Sequence, residues 1–312
     1  MNRISDNNTR ELLSNFSSWI QFEKGLSKGT SDAYLGDLER FFSLSSSTAL
    51  TVSTLDLRAH LSELGRNKKA PTYLARVVSS FRAFFSYLMK VEKARMDDPS
   101  SDISKPKLPK RMPETITTEE VQRVIHFAYT ASRMNDRTRN WALMSWFYSS
   151  GMRVSEVCAM NIRDLKLENG LPRSLKVIGK GNKERLVVVN EAAGKALRLW
   201  LRERVRLHGD LTPDKRTDAV WVHRRGGEIL RLKPRAIQHI CERCGNYADL
   251  PFRLHPHMLR HTFATAAIRS GAQLHAVKDA LGHASLATTG IYLHADASDL
   301  EKLADNLPNV IE

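Results

Sequence analysis

The segment from residue 257 to residue 292 carries polar side chains whose chemistry fits together: His257, Arg260, His283 and Tyr292. An imidazole can transfer a proton, a guanidinium can hold two oxygens of an anion, and a phenol can act as an oxygen nucleophile. Such a set suits chemistry on a phosphodiester, in which the anion is held while an oxygen attacks the phosphorus.

The spacing places two of these side chains together. His257 and Arg260 are three residues apart, so on a helix they share one face. Pro256 suits the first turn of a helix, and an apolar stripe follows it and stops before Ser270 and Gly271. The positive pole of the helix dipole would then lie beside both side chains, which favours an anion there.

Other interpretations of these histidines remain open at this point. A histidine near an apolar stripe is more often a packed or surface residue than a catalytic one. His255, His257 and His261 could suggest zinc, but no acidic ligand or His-Glu-x-x-His pattern accompanies them, so we expect no metal. The close pair Cys241 and Cys244 falls inside a helical pattern, and we expect buried or idle thiols rather than a metal or redox site.

Two upstream segments add cationic groups. Gly151 can end the apolar helix before it, and Arg153 and Glu156 then share a face of the next helix, where an ordinary surface ion pair is the simplest interpretation. Residues 176 to 189 read as two strands joined by a glycine-rich turn, with Lys180 at the tip.

Five motifs in this order resemble those of the tyrosine recombinases, and their spacing is most similar to the compact Xer-type and phage-integrase-type members. The motifs are Gly151-Met152-Arg153-Val154-Ser155-Glu156, Gly179-Lys180-Gly181-Asn182-Lys183-Glu184-Arg185, His257-Met258-Leu259-Arg260-His261, Leu281-Gly282-His283 and Tyr292. The resemblance is strong from about residue 145 to residue 295 and weaker before that.

The resemblance implies the following roles. Tyr292 would attack the scissile phosphate and form a 3′-phosphotyrosyl link, and Arg153 and Arg260 would hold the non-bridging oxygens. Lys180 would protonate the leaving 5′-oxygen, and His257 would either assist proton transfer at the tyrosine or steady the phosphate. The arginines suit their task because a planar fork bonds two oxygens and keeps its proton.

His283 would bond a phosphate oxygen, and Glu156 would support the basic residues. The phosphotyrosine conserves the bond energy, so the resemblance implies neither a cofactor nor a metal. Two departures from the family pattern are Gly290, where relatives usually carry a larger residue, and the polar pair Ser149 and Ser150.

The implied function is site-specific DNA recombination by cleavage and rejoining of strands, in integration, excision or resolution of DNA such as a mobile element. Two alternatives use overlapping residues: a DNA-binding architectural or regulatory protein without chemistry, and a relaxing enzyme like a type IB topoisomerase. Which biological role, target sequence and accessory proteins apply does not follow from the sequence.

Charge agrees with a polyanionic partner. The chain has 312 residues, 48 basic and 34 acidic side chains, and a net charge of +14. Residues 66 to 72 combine basic side chains with a helix start, which is typical of a phosphate contact. We therefore expect double-stranded DNA to contact Arg66, Lys68, Lys69 and Thr72.

Breaks in the helical patterns divide the chain into a DNA-binding domain at 1 to 98, a proline-rich basic linker at 99 to 113, and a catalytic domain at 114 to 312. The first domain is expected to be an all-α bundle of four helices, the SAM-like core-binding type that the resemblance implies. Its apolar stripes include Phe16, Phe22, Leu55 and Phe81. The second domain is expected to be mixed α+β, mainly helical, with a small antiparallel sheet at 173 to 190 and a strand at 219 to 223.

Ser298-Asp299-Leu300-Glu301 forms a capping box, which predicts a C-terminal helix at 298 to 308. It is too short to fold alone, so it must dock on its own domain or on a neighbour. Relatives pass such a helix to the next protomer, so we expect a homotetramer on two DNA duplexes with paired half-sites. No signal peptide or membrane span is evident, and we expect a cytoplasmic protein associated with the bacterial nucleoid.

Overall fold

The computed structural model describes residues 6–107, 115–178, 184–208, 218–282 and 302–308. The chain divides into two compact units, Met1–Arg111 and Met112–Glu312. Among the helices that the structure describes, none combines the length and the apolar character that a membrane span requires.

The first unit is a bundle of four helices: α1 (Asn7–Phe22), α2 (Lys28–Leu44), α3 (Thr54–Arg66) and α4 (Pro71–Lys90). Asp6, Ser27 and Ser53 cap the first three helices through their side-chain oxygens, and Pro71 opens the fourth. The predicted bundle is confirmed.

The core of the bundle is rich in phenylalanine, with Phe16, Phe81 and Phe84 inaccessible to solvent. Two residues of the predicted apolar stripes lie outside it, since Phe22 is 79% and Leu55 73% exposed. Phe22 is the last residue of α1 and Leu55 lies in the first turn of α3, so neither reaches the interior that the middle of each helix faces.

Part of the predicted linker packs on this bundle. The Thr54 hydroxyl donates to the Pro99 carbonyl at 2.9 Å, Arg82 Nη2 donates to the Ile103 carbonyl at 2.7 Å, and Ser100 is buried. Residues 99 to 103 therefore belong to the first unit, because their main-chain groups satisfy polar side chains of the bundle.

The described helices of the second unit are α5 (Thr118–Thr130), α6 (Arg137–Ser150), α7 (Val154–Ala159), α8 (Glu191–His208), α9 (Pro234–Tyr247), α10 (Pro256–Arg269) and α11 (Leu274–Leu281), with short 3₁₀ turns at Met134–Asp136 and Ile162–Asp164. Helix α6 is buried along its whole circumference. Its Trp146 lies in the same core as Trp200 and Trp221.

Two small antiparallel sheets complete the second unit. The first has the order β1 (Leu165–Glu168), β2 (Leu171–Ile178) and β3 (Glu184–Val188), and the second pairs β4 (Val222–Arg225) with β5 (Glu228–Arg231). The predicted sheet at 173 to 190 is present. The strand expected at 219 to 223 begins at Val222, and Ala219 forms only an isolated bridge with Asn161. The predicted mixed, mainly helical class of this domain is confirmed.

The end of the chain docks on the second unit. Residues 302 to 305 are helical, and Leu303, Ala304 and Leu307 are buried in a cluster that includes Phe263 and Leu281. Arg173 Nη2 also contacts Asp305 Oδ1 at 2.6 Å. The C-terminal segment thus lies on its own domain here, which is one of the two dockings that its apolar face requires.

Candidate active site

Gly151 sets the geometry at the end of α6. Its φ of 58° is left-handed, which turns the chain sharply out of the helix. A Cβ there would lie 2.8 Å from Phe263 Cε1 and 3.0 Å from Leu281 Cδ2, so only glycine fits. The turn brings the Gly151 carbonyl beside α10, and α7 begins three residues later.

Arg153 is the N-cap residue of α7, with extended backbone, and Glu156 is its third residue. The two were expected on one helical face; instead Glu156 accepts twice from the N-cap residue, from Arg153 N at Oε2 (2.8 Å) and from Arg153 Nη1 at Oε1 (3.0 Å). Arg153 Nη2 donates to the Gly282 carbonyl at 3.0 Å. The guanidinium is therefore fixed from two sides.

Arg260 lies in the first turns of α10 and is only 6% exposed. Its Nη1 donates to the Gly151 carbonyl at 2.6 Å and its Nη2 to the Leu281 carbonyl at 2.5 Å. Burial, together with the charge of Arg153, lowers the pKa of Arg260 to about 10, so it stays charged at neutral pH.

Glu156 joins the cluster to strand β3. Arg185 Nη1 and Nη2 donate to the two Glu156 oxygens at 2.9 and 2.7 Å, and Arg185 Nε donates to the Ala280 carbonyl at 2.9 Å. Burial of Glu156 raises its pKa, but the hydrogen bonds and charge of Arg185, followed by those of Arg153, hold that pKa below its usual value. The carboxylate is ionised at neutral pH.

Arg185 is the member of this cluster to which the sequence assigned no role, although it stands in the motif with Lys180. No local spacing reveals its partners, since Glu156 and Ala280 are 29 and 95 residues away in the chain. The available signal was an arginine at the start of a strand that follows a glycine-rich turn.

The C-terminal end of α11 is the acceptor for all three arginines. The carbonyls of Ala280, Leu281 and Gly282 each accept a guanidinium hydrogen bond. These carbonyls carry the negative pole of the helix and would otherwise lack partners. The arginines are thereby held close together despite their like charges.

His257 lies in the first turn of α10 and is exposed. Partial desolvation lowers its pKa, and the charges of His255, Arg260, His261 and Arg153 lower it further, so the imidazole is neutral at pH 7. His255 is the N-cap residue, and its Nδ1 accepts from Met258 N at 3.3 Å.

Within the described part of the chain no group of three histidine, cysteine or acidic side chains is placed to hold a metal ion. Cys241 and Cys244 are buried, and burial raises the pKa of the Cys244 thiol to about 12. The prediction of buried cysteines is confirmed.

The polar pair Ser149 and Ser150 has a local structural reason. Both are buried at the end of α6, where Ser149 Oγ accepts from Asn190 N at 2.9 Å and Ser150 Oγ accepts from Met152 N at 3.3 Å. The hydroxyls satisfy main-chain donors that an apolar pair would leave unpaired.

Lys180, His283, Gly290 and Tyr292 lie outside the described residues. The structure nevertheless places the chain on both sides of Lys180, because Ile178 and Glu184 are paired at the turn end of the β2–β3 hairpin, and just before His283, because the Gly282 carbonyl accepts from Arg153. A separate cavity of about 770 Å³ lies among residues such as Arg139, His208, His223 and Arg243, and Arg153, His257 and Arg260, the predicted catalytic residues that the structure describes, do not line it.

Comparison with known proteins decides the family. The model of the phage integrase family matches residues 114–299, and that of the phage integrase N-terminal SAM-like domain matches residues 13–92. The tyrosine recombinase XerC of Thermodesulfovibrio yellowstonii is 35% identical over 300 residues, which cover 96% of each chain. The chain belongs to the phage integrase family. It is a tyrosine site-specific recombinase, an enzyme that breaks and rejoins DNA strands, and the resemblance found in the sequence is confirmed.

Other recombinases and integrases are similar to this chain as well. The tyrosine recombinase XerD of Proteus mirabilis is 36% identical over 311 residues, covering 96% of this chain and 94% of the relative. The structure of the XerH site-specific recombinase bound to its difH substrate in a pre-cleavage complex has a TM-score of 0.62 and 26% identity, and covers 97% of this chain and 90% of that one. The Tn1549 transposon integrase in complex with circular intermediate DNA, at 15% identity and a TM-score of 0.63, shares the fold over 88% of this chain and 92% of that one.

Proposed function

We propose that this recombinase holds the scissile phosphate between Arg153 and Arg260 and cleaves it with Tyr292. The observation that carries the proposal is the cluster in which Arg153, Arg260 and Arg185 converge on the end of α11 around the single carboxylate of Glu156. Three cations with one anion leave positive charge where a phosphate would enter.

The cluster suits the transition state of phosphoryl transfer. The attacked phosphorus gains negative charge on its non-bridging oxygens, and fixed guanidinium donors stabilise that charge without reorganising. The contacts of Arg153 and Arg260 to main-chain carbonyls use some of their five N–H donors and leave others for an anion.

The proposed reaction conserves atoms and charge. The Tyr292 oxygen attacks the phosphorus, the bond to the 5′-oxygen breaks, and a 3′-phosphotyrosyl link forms. Lys180 gives a proton to the leaving 5′-oxygen, and His257 receives the phenol proton. Attack by a 5′-hydroxyl of the partner strand then reverses these steps and releases Tyr292. His283 donates to a phosphate oxygen.

The state of His257 fits its role as a base. Its pKa lies below the usual value, so the neutral imidazole predominates at pH 7 and can accept a proton. Because this pKa lies below the value of about 6.5 for an ordinary histidine, the adduct-forming rate should persist below that pH and fall only on further acidification.

Specific binding of double-stranded DNA is proposed to use the turn between α3 and α4. Arg66, Lys68, Lys69 and Thr72 are exposed there, and the N-cap Ala70 has no side-chain hydrogen bond to the first turn of α4. The free N–H groups and basic side chains suit a phosphate. The XerH structure holds its difH substrate, which supports paired half-sites as the substrate here.

Assembly is proposed to require movement of the C-terminal segment. Strand exchange between two duplexes needs four cleavages, so four protomers would act together on DNA. The segment containing Leu303 and Leu307 docks on its own domain in the free chain, and we propose that it docks on the neighbouring protomer in the DNA-bound homotetramer. Deletion of residues 298 to 312 should then abolish recombination while leaving single-site DNA binding; unchanged recombination would contradict this.

The cytoplasm and nucleoid are the proposed place of action.

The central test uses a nicked suicide duplex carrying the cognate site. We expect a covalent adduct with the wild-type recombinase and none with Tyr292→Phe, while both bind the DNA equally. Binding without an adduct would indicate a DNA-binding protein without chemistry. An adduct with relaxation of supercoiled DNA but no strand exchange would indicate an activity of the topoisomerase type.

A further inference from the structure

Arg185 contacts several elements of the site at once. It is the second residue of β3, opposite Val177 of β2, and its side chain is only 10% exposed. Its guanidinium holds both oxygens of Glu156 and the Ala280 carbonyl. It thus joins the hairpin, α7 and the end of α11.

We propose that Arg185 is a positioning residue for strand cleavage: it neutralises Glu156 so that Arg153 keeps its positive charge for the scissile phosphate. This inference rests on the proposed function, in which Arg153 holds that phosphate. Arg185 itself, held by Glu156 and Ala280, acts through Arg153.

The charges of Arg153, Arg185 and Glu156 decide how much positive charge remains for a phosphate. Glu156 Oε1 accepts from Arg153 Nη1 and from Arg185 Nη1, so two cations share one anion. With Arg185 the three groups carry a net charge of +1, and without it Arg153 and Glu156 form a neutral pair. Because Glu156 is 8% and Arg185 10% exposed, solvent screens this difference poorly.

The geometry of Arg185 also fixes the other partner of Arg153. A Cβ on Gly282 would lie 3.1 Å from Arg185 Cδ, so the main chain at Gly282 packs directly against the Arg185 side chain. The Gly282 carbonyl in turn accepts from Arg153 Nη2. Both groups that hold the Arg153 guanidinium are therefore in contact with Arg185.

The test compares Arg185→Met, Arg185→Lys and the double variant Glu156→Gln/Arg185→Met with wild type, and uses Lys176→Met as a control. Lys176 is a cation of the same hairpin, but it is exposed and pairs with the exposed Glu184. The measurements are affinity for a duplex carrying one half-site and the single-turnover rate of adduct formation on the nicked suicide duplex.

We expect Arg185→Met to slow adduct formation by about 100-fold while affinity changes by less than about 3-fold, and Arg185→Lys to recover about a tenth of the wild-type rate. The double variant should be faster than Arg185→Met alone, because the unbalanced carboxylate is gone. A double variant no faster than Arg185→Met, or Arg185→Met at the wild-type rate, would overturn the proposal. If Arg185→Met fails to fold, the double variant is compared with wild type: it should be slowed by far less than about 100-fold, and a double variant slowed by about 100-fold would overturn the proposal.

The pH profile supplies a readout that a purely structural role would not move. The groups facing Glu156 are Arg153, Arg185 and, at longer range, Arg260. Without Arg185, burial of Glu156 is opposed by one cation fewer, so the carboxyl takes up a proton at higher pH and frees Arg153. The ratio of wild-type to Arg185→Met rates should therefore shrink from pH 8 to pH 5. A ratio independent of pH would count against the proposal.

A substrate with sulfur in place of the leaving 5′-oxygen separates this role from one through Lys180. A thiolate leaves without being protonated, so the substitution restores a variant whose general acid is misplaced. We expect no selective restoration of Arg185→Met, whereas Lys180→Met should be restored. Selective restoration of Arg185→Met would place its defect at the hairpin tip and overturn the proposal. Absence of any adduct with wild type would instead refute the proposed function.

Discussion

A buried arginine lies near each end of helix α6: Arg139 in its first turn, and Arg260 of α10 beside the residue that follows it, Gly151. The two arginines are held in different ways. Near the start of α6, Arg139 Nη1 pairs with Asp136 Oδ1 at 2.9 Å and also donates to the Val222 carbonyl, while Nε and Nη2 donate to Asn140 Oδ1. After its end, Arg260 is held by main-chain carbonyls alone among the hydrogen bonds of the described residues, and Arg153 and Arg185 share Glu156.

The difference is one of charge balance. Arg139 has its own carboxylate, so the pair is neutral and its hydrogen bonds support the fold. At the other end one carboxylate serves three guanidiniums: Arg153 and Arg185 bind it directly, and carbonyl dipoles hold Arg260. Buried positive charge without matching anions is costly unless something binds it. The excess of positive charge in this cluster, rather than burial of arginine as such, therefore marks the site.

The largest expected effect is on chemistry at the unbalanced end. Arg260→Lys replaces a planar fork that bridges the Gly151 and Leu281 carbonyls by a single ammonium group. We expect the rate of adduct formation on the suicide duplex to fall by about 1000-fold. Arg269→Lys, on an exposed position of the same helix, is the matched control and should keep the wild-type rate. A mild effect at Arg260 would erase the distinction between the two ends.

Gly151→Ala tests whether the turn after α6 supports the cluster. The added Cβ would collide with the Phe263 ring and the left-handed φ would be strained, so we expect a loss of about 3 kcal/mol in the free energy of unfolding. Adduct formation should fall about 10-fold at a temperature where the variant is folded, since the displaced carbonyl no longer holds Arg260. Gly170→Ala is the control: its φ of 75° is also left-handed but no atom lies within 4 Å, so only about 1 kcal/mol should be lost. Equal losses would mean that strain alone operates.

At the balanced end, Arg139→Met should affect stability without affecting chemistry. It leaves Asp136 without its cation and leaves the Val222 carbonyl and Asn140 short of a donor. Asp136 is 35% exposed, so water screens part of the loss, and we expect about 2 kcal/mol in urea denaturation. The adduct-forming rate of the folded variant should stay at the wild-type value. A large loss of rate would show that both ends serve cleavage.

The sequence predicted the parts of the site that depend on local spacing. Pro256 and the apolar stripe gave the helix that carries His257 and Arg260, and Gly151 gave the turn before Arg153. The family resemblance could be read because the motifs are short and continuous.

Contacts between distant elements could not be predicted in this way. The role of Arg185 depends on β3 meeting both α7 and α11, and residue spacing says nothing about which elements meet. The strand Glu228–Arg231 was also missed, because four residues with two charges do not show the alternation of a longer strand. Two hydrogen bonds from Arg153 to Glu156 take the place of the expected shared helical face, since the extended backbone of Arg153 lies outside the helix.

The smallest expected effect is the pH dependence of stability that Glu156 contributes. Its pKa in the folded chain is lowered by Arg185 and Arg153 despite burial, relative to about 4.3 in an unfolded chain. A lowered carboxyl pKa contributes stability that is present above the unfolded pKa and is lost as pH falls through the folded value. The difference in free energy of unfolding between wild type and Glu156→Gln should therefore be constant from pH 7 to pH 5 and shrink below about pH 4. Urea denaturation at several pH values measures it. A difference that grew on acidification would mean that burial outweighs the two arginines, and the cluster would then resemble a desolvated acid rather than an anion shared between cations.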